Sequence, residues 1–132
     1  FNGNYAFNLL GGKEFSLGKG MYPWTLSTNL RFIWAGGRKC TPINLEKSRE
    51  KGYTVRYEEL AFSEKYDDFL RLDCKVSFIK NKKKSTHTIE LDIQNATNRL
   101  NTMWDYYDEE EDRIAYGTQL GILPSIVYRV EF

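Results

Sequence analysis

The sequence predicts an all-β fold of antiparallel strands, alternating as the wall of a transmembrane β-barrel does. Three observations carry that prediction. Five segments alternate apolar and polar residues at period two, the last of them running to the terminal residue Phe132. Trp24 and Trp34 bracket one apolar face ten positions apart; at ~3.3 Å per residue and a strand tilt of roughly 40° they span about 25 Å, the height of the apolar band between the aromatic girdles of such barrels. The connections alternate short, long, short, long, as periplasmic turns and extracellular loops do.

The first strand is expected over Asn4–Phe15, with Tyr5, Phe7 and Leu9 on one face and Asn4, Ala6 and Asn8 on the other. Gly11 and Gly12 within it weaken the strand or mark a bulge or a close approach of a neighbouring backbone. Residues 16–22, with Gly18 and Gly20, form a short turn. Pro23–Trp34 gives the clearest alternation: Trp24, Leu26, Thr28, Leu30, Phe32 and Trp34 share a face, and Thr25, Ser27, Asn29, Arg31 and Ile33 share the other. Residues 35–68 are polar and mixed and read as a long loop, far longer than compact domains usually carry. Phe69–Ile79 alternates again, with Leu70, Leu72, Cys74, Val76 and Phe78 opposed to Arg71, Asp73, Lys75 and Ser77. A greasy row backed by Arg, Asp and Lys fits lipid on one side and water on the other. After a basic turn at 80–85, Thr86–Asn95 places His87, Ile89, Leu91 and Ile93 opposite Thr88, Glu90, Asp92 and Gln94. Residues 96–118 read as the second long loop. Leu120–Phe132 closes the chain, with Leu120, Ile122, Pro124, Ile126, Tyr128, Val130 and Phe132 on one face.

Composition sets bounds on function. The 132 residues could hold one domain. No stretch reaches the ~18 apolar residues of a transmembrane helix, and the mean hydropathy of −0.58 is unlike a helical membrane protein. A β-barrel hides its apolar residues at alternate positions and escapes that average. A net charge of +1 argues for no nucleic-acid partner. The single histidine leaves no His-based metal cage and no catalytic triad, so neither a catalytic nor a metal site is expected, nor any cofactor, and the chain does not read as an enzyme. His87 itself is expected at the periplasmic interface. The chain carries no initiator Met, signal sequence or lipidation motif, and reads as processed or as a fragment. Five strands are too few to close a barrel, whose smallest members have about eight. The long loops are assigned to the outside, and the two turns with Phe132 to the periplasm.

Several stretches also resemble the C-terminal end of a TonB-dependent outer-membrane receptor, most closely the group whose N-terminus carries a carboxypeptidase-regulatory-like domain. They are Gly11–Phe15, Asn29–Arg31, Gly36–Ile43, Phe69–Asp73 and, most specific, Leu91–Arg99 and Gly121–Phe132. The resemblance spans nearly the whole chain in order. It implies that residues 1–132 are the last part of a barrel of about 22 strands, plugged by an N-terminal domain. It implies energy-coupled import of a scarce, bulky nutrient such as a siderophore, glycan, cobalamin-like or peptide ligand. The expected partners are outer-membrane lipid, the remaining barrel and plug, TonB through the N-terminal part, and the barrel-assembly machinery. For that machinery the resemblance makes Tyr128, Val130 and Phe132 the assembly signal.

Candidate site residues follow. Arg31, Arg71, Asp73, Glu90 and Asp92, with Lys75, should face the lumen, where they line a ligand path or pair with one another across strands. Trp104, Tyr106 and Tyr107 in the second loop could stack on a sugar or an aromatic ligand, or pack among neighbouring loops. The acidic run Asp108–Asp112 could hold Ca²⁺ through its carboxylates, but it matches no calcium-loop spacing and reads rather as a solvated loop. Cys40 and Cys74 stand about six residues out of register, on the order of 20 Å, too far for a disulfide. The alternative to a transporter is a small soluble β-barrel binding a lipid-like ligand. That fold needs about ten short strands with tight turns, and an apolar face turned inward.

Overall fold

The computed structural model describes residues 4–132. Its strands are β1 (Ala6–Leu17), β2 (Trp24–Ala35), β3 (Lys39–Cys40), β4 (Glu64–Lys65), β5 (Phe69–Asn81), β6 (Thr86–Gln94), β7 (Thr102–Asp108), β8 (Arg113–Thr118) and β9 (Leu123–Glu131). One helix, α1 (Leu45–Lys51), and a 3₁₀ turn at Glu58–Leu60 complete the described elements. The expected five strands form a single open sheet in the order β1-β2-β5-β6-β9. That order follows the chain, so the sheet is a meander in which no strand crosses over another. The ends differ slightly from expectation: β1 runs on to Leu17, and β9 starts at Leu123 and stops one residue before Phe132.

Register turns the separate alternations into one surface. In the antiparallel β5–β6 and β6–β9 pairs, Phe78 faces Ile89 and Ile89 faces Tyr128; Val76, Leu91 and Ile126 form the next rung, and Cys74, Ile93 and Pro124 the third. The opposite face carries Ser77–Glu90–Val127 and Lys75–Asp92–Ser125. A slip of one residue in either pairing would mix the two faces. The turns suit the hairpins they close. Gly18 and Gly20 hold φ of 94° and 143° between β1 and β2, where a side chain would be strained. The Lys82 amide donates to the Ser85 carbonyl at 2.7 Å to close β5–β6. At Gly12 a Cβ would come within 2.3 Å of Asn29 Oδ1, so this glycine is a close approach rather than a bulge.

The two expected long loops are in fact folded, which corrects the sequence reading. The chain forms two compact units: the sheet unit of Phe7–Ile33, Arg71–Arg99 and Gly121–Phe132, and an insert unit of Trp34–Leu70 and Leu100–Leu120 with the described residues up to Ala6. In the insert unit Asn44 caps α1, accepting the Lys47 amide at 3.1 Å, and Gly52 ends it in the left-handed region at φ 72°. Glu46 lies in its first turn and Arg49 and Lys51 in its last, all favourable to the helix dipole. Ser48 is fully buried; its hydroxyl donates to the Asn44 carbonyl at 2.7 Å and accepts the Val55 amide at 2.9 Å. Strands β3 and β4 pair antiparallel, and β7 and β8 form a hairpin. The buried hydrophobics among the described residues are Ala35, Ile43, Tyr107 and Ala115, all in this unit.

Candidate functional site

The charged face of the sheet gathers the expected lumen residues. Arg71 grips Asp73 two positions along the same strand with both arms of its guanidinium, Nε to Oδ1 at 2.7 Å and Nη2 to Oδ2 at 2.9 Å. Asp73 also accepts the Asn95 amide at 2.9 Å, which fixes the chain as it leaves β6. Lys75 pairs with Glu90 across the β5–β6 ladder at 2.9 Å and stands opposite Asp92 in register. Arg31 reaches from β2 to Asn8 Oδ1 at 3.4 Å, a long contact. Arg31, Arg71, Asp73, Lys75, Asp92 and Gln94 border a groove of about 430 Å³, with Gly11 and Gly12 also in its wall. Glu90 stands outside that groove. The face is thus a band of paired opposite charges with the geometry to hold water or polar surface, and its ions stabilise one another across and along strands.

The aromatic candidates in the second loop divide. Trp104 and Tyr106 are exposed and share a face of β7, with Gly117 and Ala115 opposite them on β8. The Trp104 indole lies over Gly117 so closely that a Cβ there would sit 1.9 Å from its Cε2. Trp104 also borders a cavity of about 270 Å³ with Arg38, Thr41, Phe62 and Tyr66. Tyr107 is instead buried: its amide donates to Thr54 Oγ1 at 3.0 Å and its phenol to Asp112 Oδ1 at 2.7 Å. Packing claims Tyr107, and only Trp104 and Tyr106 remain available to a ligand. Asp112 also pairs with Arg49 at 2.7 Å. The Tyr107 and Arg49 donors hold the Asp112 carboxyl below the usual range, and that hydrogen bond to Asp112 raises the Tyr107 phenol. In the acidic run, Asp108 Oδ1 accepts the amides of Glu110 and Glu111 at 3.0 and 3.3 Å. No group of three or more possible metal ligands is present among the described residues.

Two organising carboxylates escaped the sequence reading. Asp105 accepts from Arg56 Nη2 at 2.8 Å and from the Tyr66 hydroxyl at 2.7 Å, while Arg56 also donates to the carbonyls of Thr41 and Asp105. Burial, followed by the hydrogen bond to Asp105, pushes the Tyr66 phenol well up. Burial also raises the neighbouring Cys40 thiol. Asp68 accepts from the Tyr5 hydroxyl, from Trp34 Nε1 at 2.9 Å and from the Gly37 amide at 3.1 Å. Those donors, Tyr5 first, hold its carboxyl below the usual range. Gly37 is required there, since a Cβ would come within 1.7 Å of the Tyr66 carbonyl oxygen. Neither aspartate lies in a periodic pattern, so no sequence signal marked them.

In the sheet unit, His87 is held on both ring nitrogens, Nε2 by Ser85 Oγ at 3.1 Å and Nδ1 by the Tyr128 hydroxyl at 2.8 Å. The Tyr128 contact ties β6 to β9 across the ladder. Tyr128 and Val130 face β6 in register, and Phe132 follows β9 fully exposed. Cys40 and Cys74 are both free thiols. Comparison with known proteins finds no matching family model, no curated relative and no similar solved structure at a significant level.

Proposed function

We propose that the chain supplies five consecutive strands of the wall of an outer-membrane β-barrel of the TonB-dependent receptor kind. In the complete protein that barrel imports a bulky nutrient. One observation carries the reading: among the described residues the apolar face of the sheet is left exposed on several strands. Ile126 is 76% exposed, Leu9 69% and Leu30 54%, spread over β9, β1 and β2. Burying such a side chain stabilises a fold by roughly 1.5–3 kcal/mol, so a face exposed in this way calls for an apolar phase outside it. The reverse face, with its paired Arg71–Asp73 and Lys75–Glu90, suits a wet lumen. The remaining strands, the plug and the assembly machinery are then the partners, and Phe132 with Tyr128 and Val130 is the assembly signal.

Cysteine labelling in cells tests the orientation. In a background with Cys40 and Cys74 replaced by serine, Leu91→Cys and Asp92→Cys put neighbouring probes on opposite faces of β6. The barrel wall expects a lipid-restricted maleimide to label position 91 and a water-soluble one position 92. The opposite assignment would fit a small soluble barrel with its apolar face turned to an internal ligand, and would overturn the transporter reading.

A further inference from the structure

We propose that the turn joining β5 and β6 is a binding site for the phosphate headgroups of anionic phospholipid. The inference rests on the barrel-wall reading and names a lipid class for one rim of that wall. Lys80, Lys82, Lys83 and Lys84 fall within five positions, interrupted only by Asn81. Residues 82–84 are exposed, and the Lys82–Ser85 backbone bond holds them in one tight turn. None of the four lysines forms an ion pair among the described residues. The nearest carboxylate by register is Glu131, which stands opposite Thr86 on β9.

Order along the sheet face is the stronger argument. The rung Phe78–Ile89–Tyr128 is apolar and exposed. The next rung towards the turn is Lys80–His87–Val130, with Lys80 Nζ standing 5.1 Å from the Trp24 ring centroid. Beyond it lie the three turn lysines. Hydrocarbon, then an amphipathic girdle, then clustered cations thus follow one another within two rungs, about 7 Å each. A bilayer presents acyl chain, interface and headgroup in that sequence. Lys80 sets its ammonium over the face of the Trp24 indole, a cation–π contact that places a positive charge at the level of the girdle. Clustered lysines beside an apolar surface recognise anionic lipid through its phosphate, each contributing about 1 kcal/mol.

Flotation of the chain with vesicles decides the matter. Phosphatidylcholine vesicles alone test the apolar face, and vesicles mixed with phosphatidylglycerol test the turn. The chain is expected to float with both, and to bind the anionic mixture more tightly. Lys82→Gln/Lys83→Gln/Lys84→Gln should lose about 100-fold in affinity for the anionic vesicles, the equivalent of about 1 kcal/mol per lysine. The same variant should keep its binding to phosphatidylcholine. Removing equal charge in the insert unit with Lys39→Gln/Lys47→Gln/Lys51→Gln should leave the preference intact, and sodium phosphate should compete no better than chloride at matched ionic strength. Equal weakening by the two triple variants, or displacement by free phosphate, would overturn the lipid site while leaving the barrel wall standing. Failure to float with phosphatidylcholine would overturn the barrel wall itself.

Discussion

The sheet unit and the insert unit solve the same problem in opposite ways. The insert unit buries Ile43, Tyr107 and Ala115 and closes its polar groups on one another through Asp105, Asp68 and Ser48. The sheet unit buries no hydrophobic side chain among its described residues and leaves Phe7, Leu9, Ile126 and Tyr128 open. Its buried groups are polar, Ser77 and Asn95. The first unit is organised around a small interior and the second around a surface. On the proposed barrel-wall reading the apolar face meets a partner outside the sheet unit, and the order of the sheet should depend on that partner where the insert unit's should not.

The largest effect should come from a charge on the open face. Under the barrel-wall proposal, Leu91→Arg is expected to destabilise the protein in lipid by about 2–4 kcal/mol, the cost of a cation near the bilayer midplane. Ser125→Arg, on β9 beside Leu91's register partner Ile126 and on the opposite face, should cost less than about 1 kcal/mol. Urea midpoints of the two variants in lipid vesicles make the comparison. Equal losses would mean that the faces are not distinguished by their surroundings.

A second test moves to the insert unit. Asp105→Ala leaves the half-buried Arg56 guanidinium and the Tyr66 hydroxyl without their shared acceptor, at a cost of about 2–3 kcal/mol. Hydrogen exchange should accelerate across β7 and β8 and stay unchanged in β5 and β6. Acceleration in both units together would show that they unfold as one. A smaller effect is expected at Gly117→Ala, where the new methyl group displaces the Trp104 indole that rests on the backbone. Because Trp104 is exposed and can swing outward, the loss should be about 1 kcal/mol. A red shift in tryptophan emission would report the movement; an unshifted spectrum would mean that the indole is not held there.

The difference between the units also explains what the sequence reveals. Period two marks a strand whose two faces differ in polarity, so Phe69–Ile79 and Thr86–Asn95 are legible to within two residues of β5 and β6. Their exact register is not written in the faces, because a slip of two residues would preserve them; the structure supplies it. The insert unit has no such marker. Its helix spans only Leu45–Lys51, under two turns, too short to show a period, and its one written signal is Asn44 with Gly52 at the two ends. Its strands β3 and β4 are two residues each. The site shows the same division. Arg71, Asp73, Glu90 and Asp92 could be assigned to a shared face by counting, whereas Asp105 and Asp68 gather donors from positions 31–63 residues away along the chain. Tyr107 looked like its neighbours Trp104 and Tyr106, and only the opposite direction of successive strand residues separates it from Tyr106.

The gentlest test uses acid. Tyr5, Trp34 and Gly37 all donate to Asp68, and they lower its pKa, so the charged form is the one that the folded insert unit prefers. A carboxyl whose folded pKa is depressed contributes stability above its unfolded value of about 3.9 and loses it as pH falls through the folded value. Order at the Trp34–Gly37 segment should therefore hold from neutral pH down to about 4 and decay below it. Asp112, depressed by Tyr107 and Arg49, decays in the same window at the β7–β8 turn. Asp68→Asn keeps an oxygen acceptor but cannot titrate, and it should flatten the acid limb at Trp34 while leaving the limb at Tyr107. Because the Asp68 carboxylate is solvent-accessible, the effect is local, read as faster exchange of the Gly37 amide rather than as global unfolding. If the Gly37 amide exchanges at the same rate relative to its intrinsic rate above and below pH 4, the carboxylate is not what fastens this end of the insert unit.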